Sequence, residues 1–148
     1  LGIKGNEYMQ DFIAGDAVAG ICWSGDITVL NAEVGYERFK FALPDTGGTL
    51  WGDTFVVPMG TTRKANAETL MNYYYEPEVA AEVAAWVNYI TPVVGAKEAA
   101  EAIDPVLAEN WMIFPDEEVL ANSHIFRTLD SADDQAFNNE FQRVKLGA

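Results

Sequence analysis

One cysteine, Cys22, and one histidine, His124, are all this sequence offers of the residues that make disulfides, zinc sites and nucleophile–base pairs. An internal disulfide is therefore excluded, and cysteine usage does not identify a redox compartment. Cys22 lies in the run Ala19-Gly20-Ile21-Cys22-Trp23 and reads as a small apolar packing residue, with no Cys-His nucleophile expected. Basic residues are scarce as well: 9 Lys and Arg stand against 23 Asp and Glu, a formal charge of −14. Nucleic acid and anionic membrane surfaces are repelled by such a chain, whereas small cations are drawn to it. Acidity of this kind also serves solubility, so the sign fits a cationic ligand without requiring one. No apolar run approaches the roughly 18 residues of a membrane span. The opening Leu1-Gly2-Ile3-Lys4-Gly5 does not read as a signal peptide, and without an initiator Met the sequence reads as a mature, trimmed or excised portion of something longer. No phosphate-binding glycine loop, metal-ligand spacing or cofactor fingerprint occurs, so no cofactor is implied and no enzyme is expected. What the chain does have is 49% apolar content, enough for a core of ordinary domain size.

Periodicity and punctuation predict an α/β order. A helix is expected over Asn6 to Ile13, stopped by Gly15, and a buried strand over Ala17 to Trp23. Ser24 or Asp26 is expected to cap a helix running to about Glu33. Phe39 to Leu43 reads as a short strand closed by the turn signal Pro44-Asp45-Thr46-Gly47-Gly48, and Thr49 to Val57 as a third strand stopped at Pro58. Helices then follow over Asn66 to Tyr75 and Pro77 to Tyr89, the second with proline in its first turn. More helices are expected over Ala96 to Ile103, Glu117 to Asn122 and Asp130 to Lys145. No internal repeat is present.

Two short pieces carry the chemistry. Trp23-Ser24-Gly25-Asp26 and Trp51-Gly52-Asp53 each put an indole two or three residues from a carboxylate, where an apolar run ends or passes a glycine. A ring face beside a fixed negative charge recognises an organic ammonium ion, because the quadrupole attracts the cation and the carboxylate neutralises it. On a strand, Trp51 and Asp53 would share one face and project together. The bland readings stand beside these. Trp23 can be core, Asp26 can be a helix cap, and Tyr89 at a helix end can be a packing residue. Tyr73, Tyr74 and Tyr75 read as a packing stripe, and Trp86 and Trp111 as packing anchors. In a different class, Asp26 and Asp53 can be pictured as the two carboxylates of a carbohydrate-active hydrolase, with the indoles as sugar platforms.

The ordered pieces "GDAVAGICWSGD", "FALPDTGGTLWGDTFVVP" and "ANAETLMNYYYEPEVAAEVAAWVNYITP" together resemble the C-terminal half of bacterial periplasmic spermidine/putrescine-binding proteins, the substrate-binding components of ABC transporters. The resemblance implies a periplasmic-binding-protein-like α/β fold in which two lobes close on a ligand, this chain supplying most of one lobe plus a strand and helix pair of the other. It implies residues 1–49 in the second lobe, 50–104 as a crossover strand and helices of the first, and 105–148 returning to the second. It further implies polyamine contacts from Trp23, Asp26, Trp51, Asp53 and Tyr89, a permease as partner and a periplasmic or extracellular, membrane-associated location. Where some members of the family place a glutamine near the end, Phe126 stands here, so that contact is lost or becomes apolar stacking, which leaves open as the ligand spermidine, putrescine or another cationic or small polar solute. The first half of the family's chain is lacking, which implies association with that half or with a second copy to cover the exposed seam.

Overall fold

The computed structural model describes residues 2–147, and in these the chain is rich in helices and poor in paired strands. Helix α1, Tyr8–Ala14, ends at Gly15, whose left-handed φ of 84° lets its N–H turn back to the carbonyls of Asp11 and Phe12. Residues 16–23 lead without regular structure into α2, Ser24–Val34, which is closed by a second left-handed glycine, Gly35. The two helices bury Phe12, Ile27 and Leu30 together, and Tyr8, Met9, Cys22, Phe39 and Phe41 pack around them. Phe12 meets Tyr8 edge-on at 5.9 Å and Phe39 at the same centroid distance. Asn31 then does for the segment 38–39 what a neighbouring strand would do. Its carboxamide oxygen accepts from the N–H groups of Arg38 (3.0 Å) and Phe39 (2.9 Å), and its nitrogen donates to the Phe39 carbonyl at 2.9 Å.

The expected turn forms, with the Gly47 N–H donating to the Pro44 carbonyl at 2.8 Å. It leads into β1, Gly48–Leu50, which pairs in parallel with β2, Ser123–Ile125, in the register Gly48↔Ser123, Thr49↔His124 and Leu50↔Ile125. Gly47 has a φ of +89°, and a Cβ built there would lie 2.1 Å from the Asn122 carbonyl oxygen, so only glycine lets the chain pass β2 this closely. His124 adds a contact of 3.1 Å between Nε2 and the Thr46 carbonyl oxygen.

Beyond this pair the chain is helical: α3 (Lys64–Tyr74), α4 (Pro77–Val87), α5 (Ala96–Ile103), α6 (Pro105–Ala108), α7 (Glu117–Ala121) and α8 (Ser131–Leu146). Pro77 opens α4 at the position where a missing N–H costs nothing. Asp104, Asp116 and Asp130 cap α6, α7 and α8, each carboxylate accepting from backbone N–H groups of the first turn. A second core forms from small side chains. Ala81, Ala100 and Ala108 are fully buried, with Leu107 and Phe114 against them, because alanine faces let α4, α5 and α6 approach closely.

The helical expectations hold to within a few residues, and α6 is an addition. The strand expectations need correction. Ala17 to Trp23 and Phe39 to Leu43 are not strands, and Thr49 to Val57 is one only as far as Leu50. The physical cause is the lack of partners. β1 stops where its register with β2 stops, and the other two segments have no neighbouring strand among the described residues to close a ladder. Neither Ser24 nor Asp26 caps α2, since Trp23 holds the capping position without a side-chain hydrogen bond. Trp86, read as a packing anchor, is instead 87% exposed.

Candidate functional site

The row of rings is assembled from three distant parts of the chain. Trp23 precedes α2, Trp51 follows β1, and Tyr89 follows α4 just after Asn88, which closes that helix in the left-handed region at φ 60°. Trp23 and Trp51 meet edge to face with centroids 5.3 Å apart, and Trp51 meets Tyr89 in the same manner at 5.8 Å. Gly25, buried in the first turn of α2, makes the third approach possible. A Cβ at that position would lie 2.8 Å from two atoms of the Tyr89 ring and 3.0 Å from the Asn88 carbonyl oxygen.

Asp26 supplies the charge beside these rings. It lies half-buried in the first turn of α2, where the helix dipole favours a negative group. Its carboxylate accepts from the Tyr8 hydroxyl, and the same hydroxyl accepts from the Trp23 backbone N–H at 3.2 Å. No Lys, Arg or His forms an ion pair with it among the described residues. Its charge is felt by its neighbours. The Tyr8 phenol is held well above its ordinary range by burial and by the hydrogen bond to Asp26. The Tyr89 phenol is pushed up by burial and by the charge of Asp26, and the Cys22 thiol rises for the same two reasons. Among the described residues the hydrogen-bond partner of the Asp26 carboxylate is the neutral Tyr8 phenol.

Of the five residues that sequence reasoning singled out, four converge: Trp23, Asp26, Trp51 and Tyr89. Asp53 is not joined to them by any observed contact. It is exposed, it makes no hydrogen bond or ion pair among the described residues, and the strand that was to align it with Trp51 ends before it. Sequence reasoning missed Tyr8 and Gly25. Tyr8 fell on the apolar side of a predicted helix, which gave no sign that its hydroxyl leaves the core, and Gly25 read only as spacing between Trp23 and Asp26.

Trp23 and Trp51 also line an open trough of about 1350 Å³ whose walls include residues 17–23, 38–44 and 47–51. Its volume exceeds the roughly 300–1,000 Å³ of ordinary small-molecule pockets. Asp26, Asp53 and Tyr89 lie outside its lining. No cluster of His, Cys, Asp and Glu able to hold a metal ion occurs among the described residues, and no helix is long and apolar enough to cross a membrane.

This chain belongs to the bacterial extracellular solute-binding protein family, which matches residues 3–112. Among similar proteins, the spermidine/putrescine-binding periplasmic protein of Escherichia coli K12 is 27% identical over 142 residues, covering 96% of this chain and 38% of the relative. The protein of the same name from Salmonella typhimurium is 28% identical over the same shares of both chains. The putrescine-binding periplasmic protein of Escherichia coli K12 is 26% identical over 146 residues, covering 96% of this chain and 39% of the relative. The chain thus spans about two-fifths of the length of these relatives. No solved structure matches it.

Proposed function

We propose that this chain carries part of the ligand wall of an exported polyamine-binding protein that delivers putrescine or spermidine to an ABC importer, without chemistry of its own. The observation that carries the reading is the Asp26 carboxylate, free of any cationic partner among the described residues, beside the ring row Trp23–Trp51–Tyr89. A polyamine presents methylenes that suit an aromatic slot and ammonium ends that need a charged acceptor, and this arrangement offers both. The names of the relatives support the same ligand class. Asp53 fits as a second acid, brought in when residues 51–57 are held by a neighbouring strand.

The lobe assignment is part of the proposal, with residues 1–49 and 105–148 in one lobe and 50–104 in the other. The β1–β2 pairing supports it, since it ties residues 48–50 to 123–125 across the whole helical stretch. The trough and the exposed stripe Phe137, Phe141 and Val144 on α8 are the seam that further polypeptide covers, either the remaining part of a longer protein or a second copy. Val18 and Ile21, on the trough wall, are 99% and 103% exposed, as apolar side chains awaiting a cover would be.

Calorimetry with putrescine, spermidine, a neutral sugar and an amino acid tests the ligand class. Heat released with the two amines alone, weakened by added salt, supports the proposal. Equal binding of the sugar, or of no amine, overturns it.

A further inference from the structure

The Tyr8 hydroxyl touches both halves of the Trp23–Asp26 unit. It accepts from the Trp23 N–H at 3.2 Å and donates to the Asp26 carboxylate, while its ring is seated edge-on against Phe12 in the first core. Trp23 stands at the capping position of α2 and makes no side-chain capping bond, so nothing in the helix start itself fixes the backbone that carries the indole. Among the described residues Asp26 has no cation to orient it. Both depend on a side chain from another helix.

We infer that Tyr8 is a positioning residue for the ligand site, a clip by which the core of α1 and α2 sets the Trp23 indole and the Asp26 carboxylate in one fixed relation. The inference rests on the proposed amine site for its functional consequence, though the clip itself does not depend on it. A single phenol is well suited to this task, because its oxygen accepts one hydrogen bond and donates another at the same time. The donated bond goes to an ionised group and is of the stronger, charge-assisted kind. It occupies part of the acceptor capacity of the carboxylate and leaves the rest for an incoming ammonium.

Tyr8→Phe keeps the ring against Phe12 and removes only the hydroxyl. Putrescine titrations of the full chain, of Y8F, of Asp26→Asn and of the double variant form the test, with the melting temperature followed in each. We expect Y8F to weaken putrescine binding about tenfold, the worth of one charge-assisted hydrogen bond lost to the site. In the Asp26→Asn background the same change should cost clearly less, because the part of its effect that runs through the Asp26 carboxylate is already gone and only the seating of Trp23 remains. A merely structural role would instead add its full loss in both backgrounds, and that additivity overturns the inference, as does wild-type affinity in Y8F when Asp26→Asn has lost it. If Asp26→Asn leaves putrescine binding intact, the amine site itself is wrong, and amide hydrogen exchange of the ligand-free protein then decides on Tyr8. The Trp23 amide should exchange about tenfold faster in Y8F, having lost its acceptor. Unchanged exchange there refutes the clip.

Discussion

Gly25→Ala tests the close approach on which the ring row depends. The added methyl would sit 2.8 Å from two Tyr89 ring atoms and 3.0 Å from the Asn88 carbonyl oxygen, whereas unstrained carbon contacts lie at about 3.5–4.0 Å. Overpacking of this kind costs about 1–3 kcal/mol. Against it, alanine is the better helix residue, by at most about 1 kcal/mol in a helix interior and less in a first turn. The clash outweighs the propensity gain, and the net loss of stability is about 0–3 kcal/mol. For a chain of this size that lowers the melting temperature by no more than about 12 °C. The larger effect is on the site. Tyr89 adjoins Asn88 directly, so any shift that relieves the clash carries the ring away from Trp51 and Asp26, and putrescine binding should fall further than stability does. Thermal melts, the alkaline titration of the phenols by absorbance and putrescine calorimetry read the two effects separately. If G25A melts higher than wild type and Tyr89 still titrates above the ordinary tyrosine range, the approach of α2 to the end of α4 is not as described.

Asp26→Asn should weaken putrescine binding by about 1.5–3 kcal/mol, the worth of a charged hydrogen-bond partner, with calorimetry as the check. Asp53→Asn on the chain as given should cost much less, since nothing here orients that side chain; an equal loss would show that Asp53 is already in place. Gly47→Ala combines a left-handed φ with a close backbone approach, and should destabilise the β1–β2 junction by more than about 2 kcal/mol in denaturant unfolding. Stability should also fall on the alkaline side. The Tyr8 and Tyr89 phenols are raised in the folded state, so above their ordinary value of 10.0 the unfolded chain has already released protons that the folded chain keeps. The contribution is complete below that pH and is lost as pH climbs through and beyond it. Melting temperatures of wild type and Y8F above pH 10 should therefore converge.

The helices were legible because their ends are written locally. Gly15, Pro77 and Asp130 each stop or start a helix by backbone conformation or capping chemistry that involves only near neighbours. The strands were not, because a strand is defined by its partner. The apolar run Ala17 to Trp23 has the composition of a buried strand and finds no ladder among the described residues, while Ser123 to Ile125, which lacks that composition, pairs with β1. The site was half legible. Trp23 and Asp26 lie within one turn, and the order of the motifs brought in Trp51 and Tyr89. Tyr8 escaped because a helical pattern counts its ring and cannot see where its hydroxyl goes, and the pairing of Trp51 with Asp53 assumed a strand longer than its register supports.

The grip of Asn31 on the backbone of residues 38 and 39 bears on the order of assembly. The accepting oxygen and the donating nitrogen both belong to the Asn31 side chain on α2, only seven and eight residues away, so this ribbon can be straightened early, before any distant segment has arrived. Later-arriving chain would then find a template already laid out and would need only to dock along it. Asn31→Ala would leave that ribbon slack, and a slower, more aggregation-prone refolding would be the cost.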